Sequence, residues 1–304
     1  MFSTTLLDGF RASVLEQSLG VYGVHVYQEG RGEAEHRFRA DDRAHLYSAS
    51  KTFTALAIGM AEAEGRLALT DRALDFFPAL RAAAAPGSEA ITVRDLLHMR
   101  AGHDAALFTT DARSHELTRD WAEVFFSLPM ARAAGVDFLY DNGCTYMLSR
   151  IVEAVSGEGL RAYLMPRLFV PLDIPNPQWD TCPRGHALGA VGLHLRTAEL
   201  GRLGRLLLQD GQWADRALVP SAYTARMASD IVPTRGFGDA ECVPGYGYQV
   251  WRCTWPEAYR ADGKYGQYSI VLPRERAVVS VSAHNEGCAY EILRAVWREI
   301  LPRL

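Results

Sequence analysis

Ser48 and Lys51 stand three residues apart at the start of an apolar segment, and their side chains suit a nucleophile and its base. Residues at this spacing share one face of a helix, so the hydroxyl and the amine can approach hydrogen-bonding distance. The helix dipole favours negative charge on the serine oxygen, and burial allows the amine to be neutral at physiological pH. Chance spacing, with a capping serine and a solvated lysine, is the alternative. The apolar run after Lys51 favours the nucleophile and base.

A second string that could take part in catalysis, GKYGQ, covers residues 263–267. It contains Lys264, the only other lysine among the 32 basic residues. Glycines at a strand edge let the backbone approach a substrate closely, and N–H groups there can bind an oxyanion. We expect Lys264 to add positive charge beside Lys51, which lowers the pKa of Lys51 and attracts a carbonyl-bearing or anionic substrate. A hairpin turn with an exposed lysine explains the string equally well.

Tyr140, Asp141 and Asn142 form a third candidate group, directly before an apolar helical segment. A phenol on the loop before a helix can relay protons near the serine, and the Asn142 amide can bind a substrate carbonyl. Asp141 or Asn142 would also serve well as a helix cap. For this tripeptide alone, the cap is the favoured interpretation.

The elements that must position these residues follow from hydrophobic periodicity. Strand-like segments occur near both ends of the chain, at residues 21–27, 36–39, 246–251, 268–272 and 277–283. Helix-like segments cover residues 6–16, 48–64, 93–99, 116–128, 145–155, 160–168, 197–209, 221–228 and 292–301. This order predicts an α+β fold: an antiparallel sheet flanked by the N- and C-terminal helices, with an inserted, mainly helical domain. We expect residues 1–78 and 190–304 to form the sheet domain and residues 79–189 the insertion.

Composition and charge exclude several classes of function. The net charge of −4 and the scattered arginines argue against a nucleic acid partner. No segment is apolar enough for a membrane span, and the polar residues within the first 16 argue against a signal peptide, so we expect a cytoplasmic protein. The five cysteines lack close pairing, which indicates reduced thiols and neither a disulfide framework nor a zinc site. We expect a small-molecule substrate and no metal or cofactor; the oligomeric state stays open.

In their order along the chain, the first motif contains Ser48 and Lys51, the second Tyr140 and Asn142, and the third Lys264. They resemble the motifs of the serine β-lactamase and penicillin-binding-protein superfamily: S-x-x-K, then Y-x-N, then K-T-G or H-x-G. The chain is most similar to the class C-like branch, which includes D-aminopeptidases, esterases and hydrolases of oligomeric amides. The similarity extends over residues 47–53, 64–67, 75–78, 91–99, 102–103, 138–157 and 168–172. It implies the same architecture as the one predicted from periodicity.

The resemblance implies a role for each matching residue. Ser48 would be the acylated nucleophile, Lys51 its general base and Tyr140 the group that passes a proton to the leaving group. The implied substrate-binding residues are Asn142, Lys264, Gly266 and Gln267. The oxyanion hole would combine the backbone N–H groups of Ser48 and Gln267.

One departure from the family pattern affects the expected substrate. Lactam-specific members carry Thr or Ser between the Lys and Gly of the third motif, whereas this chain has Tyr265. We therefore expect a serine hydrolase acting on a small ester or amide, with acyl preference set by loops near residues 105–116 and 230–243. A penicillin-recognising binding or sensing protein without turnover, and a true class C-like β-lactamase, are the alternatives.

Overall fold

The computed structural model describes residue 2, residues 5–108 and residues 119–304. The predicted helix at 116–128 and the predicted loop at 105–116 therefore lie partly outside the described residues. The described helices are α1 Asp8–Glu16, α2 Ser50–Ala63, α3 Val93–Leu97, α4 Trp121–Ser127, α5 Asn142–Ser156, α6 Leu160–Leu164, α7 Thr197–Leu208, α8 Ser221–Ser229 and α9 Tyr290–Ala295. Among these helices, none is both long and apolar enough to cross a bilayer.

The described strands are β1 Val21–Gln28, β2 Gly32–Arg37, β3 Ala44–His45, β4 Gln178–Trp179, β5 Leu193–Leu195, β6 Gln212–Trp213, β7 Arg216–Ala217, β8 Trp251–Arg252, β9 Tyr259–Gly263, β10 Gln267–Leu272 and β11 Ala277–Ala283. Six of them form an antiparallel sheet in the order β2-β1-β11-β10-β9-β8. Both ends of the chain thus meet in one sheet, and the predicted α+β fold class is confirmed. The division into two domains stays a prediction.

The two faces of the sheet pack against different helices. On one face, Ile270 and Val279 are fully buried with Phe10 of α1 and Ile292 of α9. Fully burying a branched side chain of this size contributes on the order of 2 kcal/mol, so the terminal helices stabilise the sheet substantially. The predicted flanking helices therefore serve as the cover of this face.

The other face packs against α7 at unusually close range. A Cβ atom on Gly204 would lie 2.4 Å from Cγ1 of Val278 and 2.5 Å from Oγ of Ser269. Only glycine permits this approach, which brings the helix backbone onto the sheet. The α7 face of the sheet continues towards α2 and the helical part of the molecule, where the reactive residues lie.

At the sheet edge next to the site, one predicted strand was wrong and one observed strand was not predicted. Within residues 246–251, only Trp251 enters a strand; Tyr246 forms isolated bridges and Gln249 has a φ of 58°. The strand β9 was not predicted, because its Arg, Asp and Gly residues have low strand propensity. The predicted reduced cysteines are free thiols, of which four are buried.

Candidate active site

Ser48 lies on a tight turn at the entrance to α2. A 3₁₀ helix, Tyr47–Ala49, precedes the α-helix, so the serine stands just outside the helix that was predicted to contain it. Tyr47 has a φ of 48°, a conformation that L-residues rarely adopt and that concentrates at functional sites. This turn presents the Ser48 hydroxyl to the first turn of α2, where Lys51 lies.

Lys51 is buried, with 1% of its surface exposed, and its amine has three hydrogen-bond partners. Nζ lies 2.8 Å from Oγ of Ser48, 2.7 Å from Oδ1 of Asn142 and 3.0 Å from the carbonyl oxygen of Ala190. An unprotonated amine donates two hydrogen bonds and accepts one, so it can donate to Asn142 and Ala190 while it accepts the Ser48 proton. The geometry is that of a general base beside its nucleophile.

Burial lowers the pKa of Lys51 to about 7, while Asp141, Asp262 and Cys144 act in the opposite direction. A substantial fraction of the amine is therefore unprotonated at neutral pH. Lys264, which was expected to contribute to this lowering, is exposed and lies with Nζ 4.8 Å from the ring centroid of Tyr265. Desolvation, rather than a second cation, explains the reactive state of Lys51.

Tyr140 borders the same crevice. Its ring centroid lies 4.9 Å from Nζ of Lys51, and the rings of Phe237 and Trp251 lie 5.4 Å from it on the other side. Burial raises the pKa of Tyr140 above its usual value, although a hydrogen bond with Ser48 opposes this shift. The phenol is therefore protonated at neutral pH and can donate a proton near Ser48.

Of the two residues after Tyr140, one caps a helix and the other contacts Lys51. Asp141 caps α5: its Oδ1 accepts hydrogen bonds from the N–H groups of Gly143 and Leu107, each at 2.7 Å. Asn142 accepts from Lys51 and donates through Nδ2 to the carbonyl oxygen of Phe108 at 2.9 Å. The Asn142 amide thus orients the base, and its predicted contact with substrate stays a prediction.

The GKYGQ string forms the hairpin between β9 and β10. Gly263 pairs with Gln267 across this hairpin, and the Gly266 N–H donates to the Gly263 carbonyl at 3.1 Å. The Gln267 side chain is buried and hydrogen-bonded to Ala283. Gly266 packs towards α9, where a Cβ would lie 2.7 Å from Cδ1 of Ile292.

The backbone N–H of Gln267 lies within the sheet and not at its open edge. Main-chain groups of successive strand residues point to opposite edges, and Gln267 pairs with Gly263 of β9. The groups of Asp262 point to the other edge of β9, along which β8 pairs only as far as Arg260 among the described residues, and Lys264 follows in the turn after β9. The expected oxyanion role of the Gln267 N–H is corrected accordingly, since that amide lies within the sheet.

Gly263 brings this edge against the turn that carries the nucleophile. A Cβ atom on Gly263 would lie 2.1 Å from the carbonyl oxygen of Leu46, two residues before Ser48. The absence of a side chain therefore permits β9 to contact the nucleophile turn. Sequence reasoning assigned a positive charge to the Lys264 side chain and oxyanion binding to the Gln267 N–H, and it did not identify this contact of Gly263.

A buried ion pair beside the site was also missed. The Arg260 guanidinium is fully buried, and its Nε donates to Oδ2 of Asp262 at 2.9 Å. Its Nη1 donates to the carbonyl oxygens of Glu241 and Arg252 at 3.0 and 3.3 Å. Burial raises the pKa of Asp262, and Arg260 opposes this shift. The alternation of Tyr259, Ala261 and Gly263 with charged residues is the signal that could have revealed β9.

The comparisons with known proteins identify the family of the chain. The model of the Beta-lactamase family matches residues 14–294. The chain belongs to the Beta-lactamase family. It is 26% identical over 302 residues to penicillin-binding protein 4 of Amycolatopsis lactamdurans, a match that covers 84% of this chain and 76% of that protein. It is 26% identical over 263 residues to 6-aminohexanoate-dimer hydrolase of Paenarthrobacter ureafaciens, covering 80% of this chain and 66% of that protein.

A solved member of similar size extends the comparison to structure. The penicillin binding protein of Bacillus halodurans superposes with a TM-score of 0.74 at 18% identity, covering 98% of this chain and 99% of that one. The predicted superfamily, fold class and assignment as a hydrolase of the serine β-lactamase family are confirmed. The individual roles of the site residues stay predictions.

Proposed function

We propose that the protein hydrolyses a small ester or amide through an acyl-enzyme on Ser48. The observation that carries this proposal is the 2.8 Å contact between Oγ of Ser48 and Nζ of the buried Lys51. Lys51 removes the hydroxyl proton as Oγ bonds to the substrate carbonyl carbon, and the bond from that carbon to the leaving group then breaks. Tyr140 gives its proton to the departing oxygen or nitrogen and takes the proton that Lys51 accepted, which restores both groups. Lys51 then removes a proton from water as the hydroxide bonds to the acyl carbon, and it returns this proton to Oγ of Ser48 as the acid is released.

Two backbone amides are proposed to stabilise the oxyanion that forms in each step. The Ser48 N–H lies on the nucleophile turn, and the Lys264 N–H follows directly after Gly263, the last residue of β9. Removing one such donor in other acyl-transfer enzymes costs about 10²-fold to 10³-fold in rate. The close contact of Gly263 with Leu46 supports this assignment, because it places the two segments side by side.

The lining of the site favours an uncharged acyl group. A narrow cleft beside Asn142 is lined by the apolar or aromatic side chains of Phe108, Trp121, Tyr146, Leu188 and Val191. Burying a charged group against such a surface is costly, and the cleft's volume of about 10 Å³ leaves room for only a very small uncharged group. Tyr265 stands where lactam-specific members of the family carry the Thr or Ser whose hydroxyl holds the lactam carboxylate. We therefore propose that β-lactams are poor substrates.

The decisive experiment compares four chromogenic substrates with the wild-type protein and with Ser48→Ala. We expect turnover of p-nitrophenyl acetate or butyrate or of D-alanyl p-nitroanilide, little turnover of a cephalosporin, and loss of all turnover in Ser48→Ala. Intact-mass analysis after treatment with a fluorophosphonate should show one adduct, located on Ser48. A stoichiometric penicillin adduct without turnover of any substrate would favour a binding protein, and rapid cephalosporin hydrolysis a true β-lactamase. Turnover that survives in Ser48→Ala would remove the nucleophile from the proposal.

A further inference from the structure

His45 lies three residues before the nucleophile, in a cluster that sequence reasoning did not identify. It belongs to the two-residue strand β3 and pairs with His194 of β5. Nε2 of His45 lies 3.7 Å from Oδ2 of Asp180, and Nε2 of His194 lies 3.5 Å from the same oxygen. The cluster is half-buried, with His45 at 20% and Asp180 at 30% side-chain exposure.

The other ring nitrogen of His45 contacts the nucleophile turn. The backbone N–H of Tyr47 donates to Nδ1 of His45 at 2.8 Å, and the two rings lie 4.2 Å apart. A nitrogen that accepts a hydrogen bond carries no proton, so the neutral ring carries its proton on Nε2, facing Asp180. Asp180 therefore orients the ring so that its lone pair meets the Tyr47 amide.

The hydrogen bond from Tyr47 to His45 helps to hold the turn in an unfavourable backbone conformation. Tyr47 holds a positive φ of 48°, a conformation that is unfavourable for an L-residue and persists only when neighbouring contacts enforce it. Ser48 follows directly, and its Oγ must stay within reach of Lys51. A side-chain acceptor three residues before the nucleophile, bonded to the N–H of Tyr47, is a local constraint on this conformation.

A metal ion is the rival explanation for the same cluster, because ligand atoms of His45, Asp180 and His194 lie within 4.8 Å of one another. A metal bound to Nε2 of His45 would require the ring proton on Nδ1. Nδ1 would then be a donor facing the Tyr47 N–H, which is also a donor. The observed hydrogen bond therefore favours a positioning role over metal ligation.

We propose that His45, oriented by Asp180, is a positioning residue that holds the Tyr47 amide and thereby keeps Ser48 in line with Lys51. This inference rests on the proposed function of Ser48. His45 acts through the backbone and not on the substrate, so its loss slows acylation and deacylation alike, since both steps need Ser48 in line with Lys51, and KM stays nearly unchanged.

The test compares His45→Ala, which removes the acceptor, with His45→Asn, whose side-chain oxygen can accept from the N–H two residues on. We expect His45→Ala to lower kcat for p-nitrophenyl butyrate by about 10-fold to 100-fold with KM within about 2-fold, and His45→Asn to recover most of the loss. Asp180→Ala should give a smaller loss of kcat. The matched control is His186→Ala: His186 has 22% side-chain exposure and pairs at 2.8 Å with Glu153, which belongs to α5 and not to the nucleophile turn. It should leave kcat unchanged.

Several results would overturn the proposal. These are an unchanged kcat in His45→Ala, equal losses in the Ala and Asn variants, or a loss matched by the His186→Ala control. Bound zinc in the purified protein that disappears together with activity in the His45, Asp180 and His194 variants would establish the metal site instead. Ser48→Ala distinguishes a failure of this proposal from a failure of the proposed function. If the variant still turns over substrate, the proposed function is wrong; if it does not, only the role of His45 is in question.

A measurement on the unmodified protein covers the case in which His45→Ala does not fold. Long-range ¹H–¹⁵N correlation spectra report the tautomer of each histidine, and the His45 signals are identified by their loss in His45→Asn. The proposal requires the proton on Nε2 of His45. A proton on Nδ1 contradicts it.

Discussion

The two sides of the active-site crevice are built in opposite ways. On the helix side, Lys51 is buried and hydrogen-bonded to Ser48, Asn142 and the Ala190 carbonyl. On the sheet side, Lys264 is exposed and its amine lies over a tyrosine ring. The lysine of the helix side thus lies beside the proposed nucleophile, whereas the amine of the sheet-side lysine does not, and the proposed contribution of Lys264 is its backbone N–H.

The strongest test of this comparison removes the buried amine. Lys51→Ala should lower the acylation rate by about 10³-fold or more, because Ser48 loses its base. A nucleophile and its base act as a unit, so removing the base abolishes most of the activity of the nucleophile. The burst of p-nitrophenol in stopped-flow measurements reports this rate directly. An unchanged burst in a folded Lys51→Ala protein would remove Lys51 from the mechanism.

Tyr140→Phe probes the next contribution, proton transfer to the leaving group. A general acid contributes about 10²-fold to 10⁴-fold when the leaving group needs a proton, and p-nitrophenolate does not need one. We expect about 10²-fold loss of kcat for D-alanyl p-nitroanilide and a much smaller loss for p-nitrophenyl butyrate. Equal losses for the two substrates would indicate that Tyr140 shapes the crevice and does not donate the proton.

The pH dependence of kcat/KM reports the state of the buried amine. Only unprotonated Lys51 can accept the Ser48 proton, so activity should rise with pH and level off above a pKa of about 7. Between the plateau and pH 6, the rate should fall by about tenfold. A profile that is flat from pH 6 to 8 would contradict the proposed base.

Asp262→Asn sharpens the same measurement. The Asp262 carboxylate raises the pKa of Lys51, so its neutralisation should move the acid limb to lower pH. The variant leaves the buried Arg260 without its charged partner and should also unfold at a lower temperature. A limb that moves to higher pH would show that Asp262 acts on Lys51 in another way.

The smallest effect is expected from the exposed lysine. Lys264→Ala keeps the backbone N–H that is proposed to bind the oxyanion, so it should change kcat/KM for a neutral ester by less than about 3-fold and leave the acid limb in place. A loss comparable with that of Lys51→Ala would mean that the two lysines share one task, and the contrast between the two sides would disappear.

The helix side could be predicted because its chemistry is local in sequence. Ser48 and Lys51 are related by one helical turn, and the apolar run after them indicates burial. The tyrosine and asparagine of the second motif were also identified, although the partners of Asn142 were not. Sequence similarity assigned the family, and alternating hydrophobic residues in β1, β10 and β11 indicated the sheet.

The sheet side could not be predicted for physical reasons. The Arg260 guanidinium is buried with the carbonyl oxygens of Glu241 and Arg252 as acceptors, and these lie outside β9. The alternation of Tyr259, Ala261 and Gly263 with charged residues is only a weak signal, because Arg and Asp in so short a segment equally suit a surface loop. His45 escaped notice for a related reason: its strand has two residues, and its partner Asp180 belongs to a distant part of the chain.

The contact between Gly263 and Leu46 has a consequence for how this enzyme can diversify. Because the absence of a side chain at Gly263 lets β9 contact the nucleophile turn, the exposed side chain of Lys264 can change without altering this contact. Selectivity for new substrates can therefore evolve at residue 264, while position 263 tolerates no substitution that adds bulk and Tyr265 is constrained by its ring contact with Tyr47.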